Sequence, residues 1–189
     1  MPKASERHWS MNRNTVYFDL ETQKSASDVG GWNHIDKMGM SVGVTYSTAR
    51  GDYVVYGEGQ VEELIRELQR ADLVVGFNQI RFDYKVLEGY SIFDFSQVPS
   101  LDMLVELNKI LGHKLPLDSI AQATLGCEKT AEGLQAIDWF REGKMAEIAE
   151  YCLFDVKITK LVHEYGVAHG HLFYTNKYGN NKLKVEVNW

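Results

Sequence analysis

The chain is poor in cysteine and in ligand-spaced histidine, and it has no long apolar run. Of its 189 residues only Cys127 and Cys152 are cysteines, and they lie far apart with no C-x-x-C pattern. This argues against a disulfide framework or a zinc knuckle and predicts two reduced thiols. No stretch is apolar enough to cross a bilayer, and the start shows no charged-then-apolar leader, so we expect a cytoplasmic protein with no membrane partner.

Positive charge is also scarce. The 20 basic and 26 acidic residues leave a formal charge of −6, the wrong sign for a protein that holds nucleic acid by bulk electrostatics. A polyanionic ligand would therefore have to be bound by local contacts or through metal ions.

What is present is enough apolar material for one globular domain. Hydrophobic residues make up 44% of the chain and aromatic residues 12%. We expect a flexible polar lead-in over 1–14, a main domain over 15–170 and a C-terminal β-hairpin over 171–189, in which Leu183, Val185, Val187 and Trp189 alternate with polar residues. Oligomeric state is left open.

Periodicity predicts strands alternating with helices. Strands are expected at 16–22, 38–48, 53–57, 72–77 and 97–101, and helices at 60–71, 84–90, 102–111, 117–125 and 145–166. The polar stretch 22–37 reads as a loop. The first three strands should form an antiparallel meander, so the fold class is α/β, with a mixed sheet flanked by helices.

The first candidate site lies on the opening strand. Successive strand residues point to opposite faces, so Tyr17, Asp19 and Glu21 share one face. Two carboxylates held side by side repel each other unless a cation lies between them or one keeps its proton. This predicts half of a metal site; the alternative is an edge strand with two solvated acids.

The second acidic feature follows the strand at 72–77. Asn78 and Asp83 flank a strand-to-helix junction, where functional groups gather in sheet-and-helix folds. Asp83 could equally be only a helix N-cap. Asp102 also begins a helix, and we interpret it as a cap rather than a metal ligand.

The third feature is an aspartate in an apolar helical stripe. On the helix at 145–166, the residues at i, i+3, i+7, i+10 and i+14 are Ile148, Tyr151, Asp155, Ile158 and Val162. A buried aspartate needs a partner, so a cation should face Asp155. Tyr151 lies one helical turn from Asp155, so its hydroxyl can reach the same small volume as the carboxylate. The alternative partner of Asp155 is an Arg or Lys side chain in a salt bridge.

Together these residues resemble a known family. Asp19-x-Glu21, Asn78-x4-Asp83 and Tyr151-x3-Asp155 look like the three exonuclease motifs of the DnaQ-like superfamily, and the tyrosine resembles its DEDDy group. The segments around Asp102 and at 114–126 resemble that family's connecting helices. The likeness spans 15–165; the long polar loop at 22–37 and residues 171–189 depart from it.

The resemblance implies a ribonuclease H-like fold and 3′-to-5′ hydrolysis of single-stranded DNA or RNA ends with two Mg²⁺ or Mn²⁺ ions. By it, Asp19 would bridge both ions, Glu21 and Asp155 would hold the first, and Asp83 would act through water on the second. Tyr151 would position or help deprotonate the attacking water. Leu20 and Thr22 would touch the terminal nucleotide.

Several other residues are candidate contacts to a single strand. Asn78, Trp32 and Arg81, with His34 and Lys24, could bind it by stacking or phosphate contact, although each is also an ordinary surface residue type. We favour packing over stacking for Trp139 and Phe140. The negative charge predicts modest affinity and dependence on a partner such as a helicase or polymerase. The alternatives are a catalytically inactive nucleic-acid-binding or scaffold protein and an endonuclease.

Overall fold

The computed structural model describes residues 13–127, 133–175 and 181–189. Most of the predicted lead-in (1–12) and most of the predicted hairpin turn (178–180) lie outside the described residues. Residues 13 and 14, assigned to the lead-in, are tied to the domain: the Asn14 amide donates to the Asp72 carboxylate at 2.7 Å, and Asn14 O accepts from the Asp72 amide.

The main sheet has five strands in the order β3-β2-β1-β4-β5. Strands β1 to β3 form the predicted antiparallel meander, whereas β4 and β5 run parallel to β1. Their bounds are Thr15–Thr22 (β1), Met40–Ser47 (β2), Asp52–Gly57 (β3), Leu73–Gly76 (β4) and Ser100–Asp102 (β5). The mixed sheet predicted from the sequence is confirmed.

Six α-helices are described. They are Val61–Arg70 (α1), Asp83–Leu87 (α2), Met103–Leu111 (α3), Leu117–Leu125 (α4), Gly133–Arg141 (α5) and Met145–His169 (α6). None of them is both long enough and apolar enough to cross a bilayer. Helix α5 was not predicted, and the supposed loop at 22–37 contains a 3₁₀ helix at Trp32–Lys37.

Strand β1 separates two apolar layers. Tyr17 packs with Val42, Val44 and Val75 on the side covered by α6, while alternate residues Val16, Phe18 and Leu20 pack on the side covered by α1 and α2. The two-residue alternation predicted for this strand is therefore observed, and the acids of β1 lie on the α6 side.

The C-terminal hairpin forms a separate two-stranded sheet of His171–Thr175 (β6) and Lys182–Glu186 (β7). Within the described residues, neither strand of this hairpin pairs with the main sheet. The Thr124 hydroxyl of α4 donates to Phe173 O and accepts from Phe173 N. Leu183, predicted to face inward, is exposed, whereas Val185 and Val187 are buried as expected.

Candidate active site

Strand β1 places the carboxylates of Asp19 and Glu21 on one face of the sheet. Asp19 pairs with Val44 and Glu21 with Val42 in the antiparallel ladder, and a bulge follows Glu21. Such a bulge adds one residue to the partner strand and increases local twist. The stiff central strand thus fixes the two acids relative to each other at the end of regular pairing.

Helix α6 brings a third carboxylate to the same place. One oxygen each from Asp19, Glu21 and Asp155 lies within 4.8 Å of the other two. All three residues are half-buried. Three anions that converge in this way form a cluster that can bind metal ions.

Asp83 is the fourth acid at the site. It is 2% exposed, and its Oδ1 accepts a hydrogen bond from the backbone amide of Leu20, the residue between the two acids of β1. Phe82, not Asp83, occupies the N-cap position of α2, and no side-chain cap bond forms there. The interpretation of Asp83 as a simple helix cap is therefore not supported.

Burial and mutual repulsion raise the pKa values of these acids. Burial is the main cause for Asp19, whose pKa is raised further by Asp83, Asp155 and Glu21. Burial also raises the pKa of Glu21, followed by the charges of Asp155 and Asp83. Burial raises the pKa of Asp83 to about 7, although amide hydrogen bonds oppose the rise. The cluster therefore favours bound protons or a cation over four free charges.

Tyr151 lies on α6 one turn before Asp155 and is hydrogen-bonded to its carboxylate. Burial raises the pKa of the phenol, and Asp155, Glu21 and Asp19 raise it further. The rings of Trp139 and Tyr151 form a T-shaped pair with a centroid distance of 6.3 Å, consistent with the predicted packing role of that tryptophan. Tyr151 is thus a neutral hydroxyl held beside the acids.

Cys152 is a site residue that sequence reasoning missed. Its fully buried Sγ lies 3.4 Å from Asp19 O and 3.8 Å from Asp19 Oδ2, as a hydrogen-bond donor to both. Burial and the four nearby carboxylates raise the pKa of the thiol, so it stays protonated. The available metal donors are therefore carboxylate oxygens, which suit hard cations such as Mg²⁺ and Mn²⁺ rather than zinc.

Asp102 has the structural role predicted for it. Its Oδ1 accepts from the amides of Leu104 and Val105 at the start of α3, and from Asn78 at 2.8 Å; its Oδ2 accepts from Ile80. Asn78 takes a positive φ of 71° in this turn, a conformation that asparagine tolerates. Asn78 thus contributes its backbone to the strand-to-helix turn that leads to Asp83.

An apolar cavity of about 350 Å³ adjoins the acids. Its lining includes Glu21 and Thr22, the apolar side chains of Met38, Trp32 and Phe82, and residues from α5 and the 22–37 segment: Leu134, Ile137, Lys24, Ser25, Ala26 and Ser27. Trp32 is 69% exposed and meets Phe82 edge-on at 6.4 Å. The structure therefore brings Thr22 and Trp32, both predicted contacts, to one cavity beside Glu21.

Four predicted contact residues do not line this cavity. The Leu20 side chain is buried in the layer on the opposite face of β1, because neighbouring strand residues point in opposite directions. Asn78, Arg81 and His34 are also absent from its lining. The α5 wall was missed, although Leu134 and Ile137 have a three-residue spacing that could have indicated it.

Comparison with known proteins shows a likeness of structure. No family model and no curated protein matches the chain. Among solved structures, the family B DNA polymerase from the hyperthermophilic archaeon Pyrobaculum calidifontis matches with a TM-score of 0.61 at 14% identity. The match covers 82% of this chain and 24% of that one, so the chain spans about a quarter of the polymerase's length. At this identity the likeness concerns the fold, and it is consistent with the ribonuclease H-like architecture predicted from the sequence.

Proposed function

We propose that this protein is a metal-dependent 3′-to-5′ exonuclease that hydrolyses phosphodiester bonds at single-stranded DNA or RNA ends. The observation that carries the proposal is the convergence of the Asp19, Glu21 and Asp155 oxygens within 4.8 Å, with buried Asp83 beside them. The spacing of these acids along the chain matches the three DEDDy motifs, and the fold likeness is compatible with that family.

The donor set fits two Mg²⁺ or Mn²⁺ ions. The direct ligands would be Asp19, Glu21 and Asp155. The buried Asp83, which accepts a hydrogen bond from the Leu20 amide, would act through water. When bound, such ions lower the pKa of an attacking water and neutralise charge on the leaving oxygen. The remaining chemistry depends on how the protein's own side chains position water and substrate.

Tyr151 would orient the attacking water. Because its pKa is raised, the phenol keeps its proton at neutral pH and can donate one hydrogen bond while accepting another. Of the two roles implied by the resemblance, positioning fits this hydroxyl better than proton removal.

The apolar cavity would hold the terminal nucleobase. Its volume of about 350 Å³ is at the lower end of ligand pockets. Trp32 offers an exposed ring for stacking, and Thr22 lies next to Glu21, which would place the base beside the bond to be cut. A paired base cannot enter such a cavity without leaving its partner, so unpaired ends should be preferred.

Labelled single strands of DNA and RNA, incubated with Mn²⁺ or Mg²⁺, test the proposal. We expect stepwise shortening from the 3′ end, and a loss of about a thousandfold in rate for Glu21→Gln. Glu63→Gln on α1, another glutamate-to-glutamine change, is the matched control and should keep full activity.

Two other results would each point to a different function. Internal cuts would indicate an endonuclease. Strand binding with no cleavage in either metal, unaltered by Asp19→Ala, would indicate a binding or scaffold protein. If cleavage is weak alone and rises with a helicase or polymerase, the low affinity expected from the −6 charge is the reason.

A further inference from the structure

The helix that carries Tyr151 and Asp155 also places a thiol against Asp19. Residues three or four positions apart share one side of a helix, so Cys152 and Tyr151 both neighbour Asp155 on α6. Cys152 is fully buried, and its Sγ lies 3.4 Å from Asp19 O and 3.8 Å from Asp19 Oδ2. One side chain of α6 therefore contacts both the backbone and the carboxylate of a candidate metal ligand.

The thiol acts on Asp19 as a neutral hydrogen-bond donor. Burial and the nearby acids raise the pKa of Cys152, so the proton stays on sulfur, which is a weak donor. Burial and the neighbouring acids also raise the pKa of Asp19, whereas the hydrogen bond from Cys152 opposes this rise. The contact thus favours the charged form of the Asp19 carboxylate, which is the form that binds a cation.

A neutral donor suits this position better than a cationic one. Within the described part of the chain, no lysine, arginine or histidine forms an ion pair with Asp19. A cationic side chain at this contact would neutralise the carboxylate and compete with a metal ion for it. The thiol can instead fix the direction of the carboxylate oxygens and leave their charge to the metal.

We propose that Cys152 is a positioning residue, whose thiol holds the Asp19 carboxylate in the orientation that receives the metal ions. This inference rests on the proposed function, in which Asp19 is a direct metal ligand. The S–H proton is shared between Asp19 O and Asp19 Oδ2, so turning the carboxylate away would weaken this hydrogen bond. Removing a hydrogen bond to a ligating side chain typically costs about 10–100-fold in metal affinity, and a weak donor should lie near the lower end.

Manganese binding tests this role without turnover. Titration calorimetry compares wild-type protein with Cys152→Ala, which has no donor, and with Cys152→Ser, whose hydroxyl can donate in the same direction. We expect Cys152→Ala to bind Mn²⁺ about tenfold more weakly and Cys152→Ser to keep most of the wild-type affinity. Cys127→Ala removes the chain's other cysteine and is the matched control, so it should bind Mn²⁺ as wild-type protein does.

Thermal unfolding in EDTA separates positioning from packing. Cys152→Ala leaves a small cavity in the core and should lower the melting temperature of the metal-free protein. A side chain that served packing alone would have this effect without weakening Mn²⁺ binding to the folded protein. Equal Mn²⁺ affinities of Cys152→Ala and wild-type protein, or a serine variant as weak as the alanine variant, would overturn the positioning role.

A spectroscopic readout leaves Cys152 itself unchanged. In the Cys127→Ala variant Cys152 is the chain's only thiol, so the S–H stretching band in the infrared spectrum belongs to it. The frequency of this band falls as the thiol donates a stronger hydrogen bond. Bound Mn²⁺ draws charge from the Asp19 carboxylate, so the band should move to higher frequency when the ion is added. A band that stays in place while Mn²⁺ binds would contradict the proposal.

Cleavage of single strands distinguishes this inference from the function on which it rests. Cys152→Ala should need about tenfold more Mn²⁺ for its half-maximal rate, while its rate at saturating Mn²⁺ stays near that of wild-type protein. If Mn²⁺ binding depends on the thiol but no strand is cut, the exonuclease function fails and the positioning role stands. If strands are shortened and the Mn²⁺ requirement is unchanged, the positioning role fails and the exonuclease function stands. Wild-type protein that binds no Mn²⁺ would overturn both.

Discussion

Replacing Asp83 by asparagine should stabilise the metal-free protein at alkaline pH. Asp83 is 2% exposed, and its pKa is raised to about 7, chiefly by burial. Asparagine removes the charge and keeps an oxygen that can accept the hydrogen bond from the Leu20 amide. The substitution also removes one of the charges that raise the pKa of Asp19.

The direction of the pH effect follows from the raised pKa. Between the ordinary value of 3.8 and about 7, the folded protein holds a proton at Asp83 that the unfolded chain releases. The free energy of unfolding therefore falls as pH rises through this window and levels off above it. The full shift corresponds to about 4 kcal/mol as an upper limit, because each pKa unit is worth about 1.4 kcal/mol.

We expect the advantage of Asp83→Asn to grow by about 2 kcal/mol between pH 5 and pH 8, below the limit because the site can relax and admit water. For a chain of this length that is roughly 4–8 °C in melting temperature. Urea unfolding in EDTA at both pH values measures it. Added Mn²⁺ should stabilise wild-type protein more than the variant, since the metal replaces the missing counter-charge.

Asp102 is the matched control because it is also 2% exposed. Its two oxygens accept hydrogen bonds from four backbone amides. An asparagine would turn its NH₂ group toward at least one of these N–H donors, so that hydrogen bond would be lost. Asp102→Asn should therefore destabilise the protein at both pH values. The reasoning is refuted if Asp83→Asn lowers stability at pH 8 as much as Asp102→Asn does, or if its effect is the same at pH 5.

Other substitutions test separate contacts. Tyr151→Phe should lower kcat about a hundredfold with KM little changed if the hydroxyl positions water; an equal rise in KM would contradict this. Trp32→Ala should raise KM for single strands and leave the melting temperature unchanged, because the ring is 69% exposed. Gly166→Ala should cost about 1–3 kcal/mol, since its Cβ would lie 2.7 Å from Trp189 Nε1; Gly59→Ala meets nothing within 4 Å and serves as the control in thermal unfolding.

The parts of the fold that depend on short-range periodicity were predictable. The alternation of β1 placed Asp19 and Glu21 on one face, and the spacing on α6 placed Tyr151 and Asp155 together, because strand and helix geometry fix these relations locally. The antiparallel meander also followed from neighbouring strands joined by short turns. Convergence of the acids could be inferred only from the family resemblance.

Contacts between distant segments could not be read in this way. Cys152 approaches Asp19 across 133 positions of sequence, and nothing in its own neighbourhood distinguishes it from a core thiol. Helix α5 was harder to recognise because its apolar Leu134 is exposed, which weakens the pattern of an amphipathic helix. Trp32 was assigned to a loop because a 3₁₀ helix of six residues, with non-helical dihedrals at His34, leaves no 3.6-residue period.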